Sequence, residues 1–358
     1  MVFGTSARIR HGNVKTRRRS PLAAFLIVPI VIAGCSSSNR SNDKDATVTQ
    51  LSMGYVANVP VGVFPQMARD LGYFTQENIS VKFVKTDPST GVPGLIGGSL
   101  NILASGSEAI LAAAKGADVE FVGSTANGSI FHFITDSKIT DFKQLEGKII
   151  GAPTLQSITV VAIKQLLTAH GVDVSKVKFV ASGVSPHSVA ALQGGQISAA
   201  AVSAPYNTVA AEAGFKDWGT TDTLGAKPLL SAVFVVKKSW AASHRSVLEG
   251  FLRAVQHVVR DVHDPAKSAH MTDVMSKTID SKRSYIEAAI KEFVDERNGP
   301  GRIVPADLHT DDSVLESTTK GFMEIGVLPP DTDTTALANK LIDPTYAAGA
   351  YKETNDGK

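Results

Sequence analysis

The chain has 358 residues, of which 43% are hydrophobic, with 36 Lys or Arg against 34 Asp or Glu. This is ordinary globular composition, and the length is sufficient for two lobes. Six of the basic residues and no acidic residue fall in residues 1–34, so the remainder holds 30 basic against 34 acidic residues. That balance gives no reason to expect a nucleic-acid partner, and the single cysteine rules out an intrachain disulfide.

The N-terminal segment has the pattern of an export signal. A basic stretch at residues 17–19 precedes a short apolar run at residues 22–33, and Gly34 and Cys35 follow. Twelve apolar residues are too few to span a bilayer, so we expect a cleaved signal at residues 1–34. Residues 36–47 are small, polar and charged, which is typical of a linker, and folded structure should begin near Val48.

An internal repeat with a spacing of about 97 residues organises the next part of the chain. Residues 51–84 and 148–180 each contain a short apolar strand, a helix with apolar residues at helical spacing, a glycine and the tetrapeptide VKFV. The glycine pairs at residues 97–98 and 194–195 continue the match and precede a further strand in each copy. Strands alternating with helices pair in parallel with right-handed crossovers, so the repeat predicts two similar α/β lobes.

The rest of the chain lacks the repeat. Residues 233–237 read as a strand, and an apolar 3.6-residue periodicity begins at Arg245. Further helices are expected at residues 282–297, 311–325 and 334–342. We expect this tail to pack on one lobe and complete it.

Several motifs carry a resemblance to known families. The chain resembles the sulfonate/nitrate/taurine and thiamine-precursor binding proteins of ABC importers. The matching segments are residues 72–74 (GYF), 115–118 (KGAD), 145–151 (LEGKIIG), 192–196 (LQGGQ), 204–206 (APY), 326–329 (GVLP) and 341–346 (LIDPTY). Asn101 and Ser198 stand where those proteins usually have aspartate, and Val61 stands where many have histidine. In addition, residues 32–35 (IAGC) resemble the lipobox of bacterial lipoproteins.

The resemblance implies a two-lobed type II periplasmic-binding-protein fold. Lobe I would comprise residues 48–125 and 230–358, lobe II would comprise residues 126–229, and residues 35–47 would link the fold to a lipid on Cys35. The mature protein would then be a monomer anchored at the outer face of the cytoplasmic membrane, with ABC permease subunits as its partner. We expect no enzymatic activity, cofactor or metal.

Ligands of open α/β sheets bind beyond the carboxyl ends of the strands. In this chain the rule selects loops at residues 57–62, 85–90, 105–108, 153–159, 181–187 and 203–206. The candidate binding residues in these loops are Asn58, Val61, Ser105, Ser107, Thr154, Gln156, Ser157, His187, Ser203 and Tyr206. Asn58 could instead serve a turn, Ser107 and His187 a helix cap, and Tyr206 the hinge.

The candidate loops are rich in hydroxyl and amide groups and poor in cations. This composition suits one singly charged or neutral acceptor-rich head on an apolar body, so we expect a small organic ligand. An aliphatic sulfonate ranks slightly ahead of a pyrimidine-like heterocycle. The alternative function is a surface lipoprotein that senses or binds a partner without feeding a transporter.

The lipobox-like motif predicts that Cys35→Ala releases the protein from the membrane, because the substitution removes the thiol that would accept the lipid. Fractionation of cells expressing the wild type and the variant measures this. A variant that stays in the membrane fraction to the same extent as the wild type contradicts the anchor.

Overall fold

The computed structural model describes residues 48–56, 59–87, 89–105, 107–294 and 303–356. The predicted signal, Cys35 and the predicted linker lie outside these residues, as does Asn58. Among the residues described, no helix has both the length and the apolarity needed to cross a membrane.

The first sheet, which defines lobe I, has the strand order β2-β1-β3-β10-β4. Its strands are β1 (Thr49–Tyr55), β2 (Ile79–Lys85), β3 (Ile102–Ser105), β4 (Glu120–Ala126) and β10 (Ala232–Val236). Strand β1 pairs in parallel with β2 and β3, whereas β10 runs antiparallel to both β3 and β4.

The second sheet, which defines lobe II, has the order β7-β6-β8-β5-β9. Its strands are β5 (Phe131–Thr135), β6 (Ile149–Ala152), β7 (Lys178–Ala181), β8 (Ala199–Ser203) and β9 (Lys216–Thr220). Strand β6 is parallel to β7 and β8, and β5 is antiparallel to β8 and β9. The two sheets therefore share one topology, which confirms the predicted α/β class with two similar lobes.

The helices of the repeat pack on these sheets. They are α1 (Phe64–Asp70), α2 (Tyr73–Gln76), α3 (Gly91–Ile96) and α4 (Ser107–Ala114) in the first copy, and α5 (Ile158–Ala169), α6 (Ser185–Gln193) and α7 (Tyr206–Glu212) in the second. Gly72 and Gly171, which follow α1 and α5, have φ of 78° and 70°. Glycine adopts this left-handed conformation without steric cost, so it ends a helix readily.

In the described part of the chain after β10, seven α-helices follow. They are α8 (Lys238–Ser243), α9 (Arg245–His263), α10 (Ser268–Ile279), α11 (Arg283–Val294), α12 (Asp312–Glu324), α13 (Thr334–Leu341) and α14 (Thr345–Asp356). Helices α8, α10 and α14 were not predicted from the sequence. Helix α9 buries Leu248, Phe251, Val255 and Val258 in the core of lobe I, where Phe234 of β10 also lies.

The chain passes between the sheets at residues 127–130 and again at residues 221–231. The two crossings are joined directly by side chains. The hydroxyls of Ser129 and Thr221 lie 2.6 Å apart and are buried, and Ser231 donates from its hydroxyl to the carbonyl of Gly128 at 2.6 Å. Because each crossing holds the other, the two segments form one hinge.

The tail also packs on lobe II, which differs from the expectation that it would pack on one lobe. Helix α12 lies against α5 of lobe II. The Thr318 hydroxyl accepts from the backbone N–H of Leu230 at 2.8 Å, and the Gln165 amide donates to Glu324 at 2.8 Å. The apolar face of α12 is wide enough to bury residues against both α5 and α13. Sequence periodicity indicates such a face, but it does not say which helices pack on it.

The close approach of α12 and α5 predicts a cost for Gly321→Ala. A Cβ built on Gly321 would lie 2.3 Å from Cγ1 of Val161, whose short branched side chain cannot turn away. We expect the substitution to lower the free energy of unfolding by about 1–3 kcal/mol, despite the roughly 1 kcal/mol by which alanine favours a helix over glycine. Urea unfolding measures the change.

Gly349→Ala in α14 is the matched control. Its Cβ would meet Oε1 of Glu249 at 2.8 Å, and that atom is the end of a flexible side chain that can move. The control should leave the free energy of unfolding unchanged or raise it by up to about 1 kcal/mol. Equal effects of the two substitutions would contradict the close packing of α12 on α5.

Candidate functional site

A cavity of about 160 Å³ lies between the two sheets, at the carboxyl ends of their parallel strands. Both lobes and the hinge contribute to its walls. Its lining consists of Tyr55, Val56, Val59, Val61, Gly62, Ala104, Ser105, Glu108, Ile130, Phe131, Pro153, Ser157, Ile158, Thr159, Val184, Ser185, Ser203, Ser231 and Ala232. Five of the six loops selected by the strand-end rule contribute, whereas none of the described residues of the loop at residues 85–90 lies in the lining.

Lobe I supplies the charged part of the wall. Glu108 lies in the first turn of α4, and the Ser105 hydroxyl at the end of β3 donates to Oε2 of Glu108 at 2.9 Å. The side chain of Val61, in a 3-10 turn at Pro60–Gly62, is almost completely buried beside them. Tyr55 at the end of β1 adds an aromatic ring to this wall of the cavity.

Lobe II presents the start of helix α5. Ser157 is the residue before the helix, and its hydroxyl donates to the carbonyl of Thr154 at 2.8 Å. The same hydroxyl lies 2.6 Å from that of Thr159. The first-turn N–H groups of a helix have no partner within the helix and form its positive end, so this wall suits a hydrogen-bond acceptor.

A second pair of hydroxyls joins the start of α6 to the end of β8 in lobe II. The Ser185 oxygen accepts from the backbone N–H of Ser203 at 3.1 Å, and the two hydroxyl oxygens are also 3.1 Å apart. Ile130 of the first crossing also lines the cavity, as do Phe131 and Ala232, the first residues of β5 and β10. The hinge therefore forms part of the lining as well as joining the lobes.

The predicted binding residues divide into two groups. Val61, Ser105, Ser157 and Ser203 line the cavity. Four others are absent from its lining. Thr154 accepts from Ser157 through its carbonyl, and Gln156 is exposed. Tyr206 packs against the small core between α6 and α7, and His187 lines a separate groove with Ser182 and Gln196. Ser107 begins α4, but its side chain lies outside the described structure, and Asn58 lies outside it entirely.

Some of the lining residues were not among the predicted binding residues. Thr159 and Ser185 lie in loops that the strand-end rule selected, and Tyr55 is the last residue of β1. Phe131 begins β5 and Ser231 ends the second crossing, and only the pairing of the sheets brings them to the cavity.

The electrostatics of the lining are simple. Glu108 is the single charged side chain among the described lining residues, and the other polar side chains there are hydroxyls. Burial raises the pKa of the nearby Tyr206 phenol. Among the residues that the structure describes, no group of three or more His, Cys, Asp or Glu could hold a metal ion.

Comparison with known proteins gives a family and a fold. The family model described as NMT1/THI5 like matches residues 64–268, which is more than half of the chain. No curated protein sequence matches the chain.

Three solved structures illustrate the fold. The alkanesulfonate-binding protein SsuA from Xanthomonas axonopodis pv. citri, bound to MOPS, is 18% identical with a TM-score of 0.64, covering 84% of this chain and 99% of that one. The periplasmic nitrate-binding protein NrtA from Synechocystis PCC 6803 is 14% identical with a TM-score of 0.68, covering 87% and 89%. The desulfurization enzyme DSZB is 13% identical with a TM-score of 0.59, covering 84% and 99%.

These matches agree with the resemblance drawn from the sequence motifs. The sheet order, the cavity between the lobes and the similarity to the sulfonate- and nitrate-binding proteins establish the periplasmic-binding-protein fold. With a family model covering the repeat from α1 to the start of α10, the chain belongs to the NMT1/THI5-like family.

Proposed function

We propose that this protein is the extracytoplasmic solute-binding lipoprotein of an ABC importer. It binds a small organic ligand between its lobes and delivers it to permease subunits in the membrane. The observation that carries the proposal is the cavity, whose walls come from both lobes and the hinge. A ligand that contacts both lobes favours the closed arrangement over the open one, which is the requirement for a ligand-driven change.

The predicted export signal and lipobox support the location in this proposal. Cys35 would carry the lipid and residues 36–47 would hold the folded part away from the membrane surface. The family membership and the similarity to SsuA and NrtA, which are named as binding proteins, support the transport role.

The lining favours a polar heterocycle over a sulfonate, which reverses the order expected from the sequence. A carboxylate accepts hydrogen bonds, so Glu108 on the lobe I wall can accept from a ring N–H, a donor that an alkanesulfonate head does not carry. A ring with an N–H donor facing Glu108 and an acceptor facing the start of α5 would satisfy both walls. Val61, Ile158 and Phe131 would cover its apolar faces.

A sulfonate remains the second candidate for one specific reason. The start of α5 presents the positive end of a helix with the Ser157 and Thr159 hydroxyls beside it, and such a helix end binds anions. SsuA, which shares the fold, is named for alkanesulfonate binding.

Two other functions are less well supported. The fold is also that of the enzyme DSZB, so the fold alone does not separate binding from catalysis. Nucleophilic catalysis by a serine most often uses an adjacent histidine as its base, and the described lining contains no histidine. A sensor lipoprotein would use the same cavity, and it differs from a transport protein in lacking a cognate permease.

The ligand class can be tested with Glu108→Gln. A thermal-shift screen of hydroxymethylpyrimidines, alkanesulfonates, taurine, nitrate, amino acids and sugars, followed by calorimetry, identifies the ligand. A ligand at 100 times its Kd stabilises the fold by about 2.7 kcal/mol. For an amino-substituted pyrimidine, Glu108→Gln should weaken binding about 10- to 100-fold, because a hydrogen bond to a charged acceptor is lost. For a sulfonate, the same substitution should strengthen binding.

Glu146→Gln is the matched control, because Glu146 pairs with Lys176 on the surface of lobe II, away from the cavity lining. It should leave the affinity for any ligand unchanged. Tight binding of a sugar, a polyamine or a metal ion, with no response to sulfonates and heterocycles, would contradict the proposed ligand class.

Closure of the lobes can be tested by small-angle X-ray scattering. With the identified ligand at saturation, the radius of gyration should fall, because contacts from both walls hold the lobes together. A scattering profile that is identical with and without ligand would contradict the binding mechanism.

A further inference from the structure

A buried histidine connects the two lobes away from the cavity. His132 is the second residue of β5 in lobe II, and its Nδ1 lies 3.0 Å from a carboxylate oxygen of Asp217 in β9 of the same lobe. Its Nε2 lies 3.0 Å from Glu292 of α11, which belongs to the tail. The imidazole is 11% exposed, and the two carboxylates are 25% and 22% exposed.

Helix α11 holds its apolar face on lobe I. Ile286, Ala289, Ile290 and Phe293 are buried in the core that also contains α9 and β1. Helix α11 also makes polar contacts with lobe II. Besides Glu292, Lys282 and the Tyr285 hydroxyl reach Glu212 at the end of α7, with the lysine 3.2 Å from the carboxylate. The core around α11 also includes Ala204 of lobe II, so the polar bridges are the part of this contact that can respond to pH.

The two bridges differ in how they respond to pH. The Tyr285 hydroxyl and Glu212 raise the pKa of Lys282, so this lysine keeps its charge through neutral and mildly basic pH. Burial lowers the pKa of His132, but the hydrogen bonds and charges of Asp217 and Glu292 outweigh burial and raise it to about 9. Burial likewise raises the pKa of Asp217, and His132 with the Gly219 N–H and Asn207 holds it below its usual value.

We infer that the Asp217–His132–Glu292 bridge is a latch that holds α11 of lobe I to lobe II while the imidazole is protonated, and that releases α11 as pH rises. A protonated imidazole donates to one carboxylate from each nitrogen, so it satisfies both lobes at once. A neutral imidazole has one donor, so it leaves one buried carboxylate facing an acceptor nitrogen.

The sign and window follow from the pKa of about 9. Histidine in an unfolded chain titrates near about 6.5. A group whose pKa is raised in the folded state contributes stability that is complete below the unfolded value and is lost as pH passes the folded value. The latch should therefore hold below about pH 6.5 and be lost around pH 9.

The elements packed against the imidazole bring other side chains near it. Lys216 of β9 places its ammonium 3.4 Å from the centre of the Trp218 ring. Val202 of β8 and Thr220 of β9, which pair with His132 in the sheet, carry no titratable group. Asn207 of α7 donates to Asp217 at 3.3 Å. Among the described neighbours, Asp217 and Glu292 therefore supply the charges that bind the imidazole.

The test uses the full chain without ligand, so its outcome is independent of the proposed function. The imidazole signals of His132, assigned by their loss in His132→Gln, should titrate near pH 9 by NMR. The radius of gyration should increase between pH 7 and pH 10 in the wild type and stay constant in His132→Gln. Glu292→Gln, on the outer helix, should also abolish the increase and make His132 titrate at lower pH. Each pKa unit that Glu292 contributes corresponds to about a tenfold change in the ratio of latched to unlatched molecules.

His309→Gln is the matched control. His309 binds Asp307 at 2.6 Å within the same tail segment, so it is a histidine–carboxylate pair that does not bridge the lobes. It should retain the pH dependence of the wild type. Three results would overturn the latch: an unchanged radius of gyration in the wild type from pH 7 to pH 10, the wild-type pH dependence in His132→Gln or Glu292→Gln, or titration of His132 near pH 6.5.

Discussion

Each sheet of this protein is completed by a strand that arrives through the hinge. Strand β5 enters lobe II directly after the first crossing and lies between β8 and β9, and β10 re-enters lobe I after the second crossing and lies between β3 and β4. The edge strand β4 joins its sheet only through β10. Neither sheet is complete until the chain has crossed between the lobes. The folding of each lobe and the position of the hinge therefore depend on each other.

This constraint places the cavity. In each sheet an antiparallel strand that follows a crossing lies beside the parallel strands. The crossings therefore run past the carboxyl ends of β3 and β8, where Ser105 and Ser203 lie. The lining thus includes Ser231 of the hinge and Phe131, which directly follows the first crossing. A change in the angle between the lobes must therefore change the shape of the lining, which would couple ligand binding to closure in the proposed function.

The tail contributes contacts on two sides of the hinge. Helix α12 packs an apolar face against α5 and is held by Thr318, whereas α11 reaches lobe II through Glu292 and Lys282. Burial of apolar surface resists separation in water, but ion pairs depend on pH and salt. The apolar contact of α12 with lobe II is therefore suited to a permanent attachment. The polar contact of α11 with lobe II is suited to an attachment that opens.

The sequence by itself determined the repeat, the two α/β lobes and part of the site, because strand and helix periodicities are local and the strand-end rule needs only their order. Val61, Ser105, Ser157 and Ser203 were identified in this way. The tertiary structure decided which residues of the crossings line the cavity and that α12 contacts both lobes. It also placed His132 between Asp217 and Glu292, although Glu292 is 160 residues away from His132 along the chain. Nothing in the local pattern records such pairs, because they arise only when separate elements pack. The strand-end rule selects loops but not side chains. Gln156 and His187 lie in loops that the rule selected, yet neither residue is part of the cavity lining.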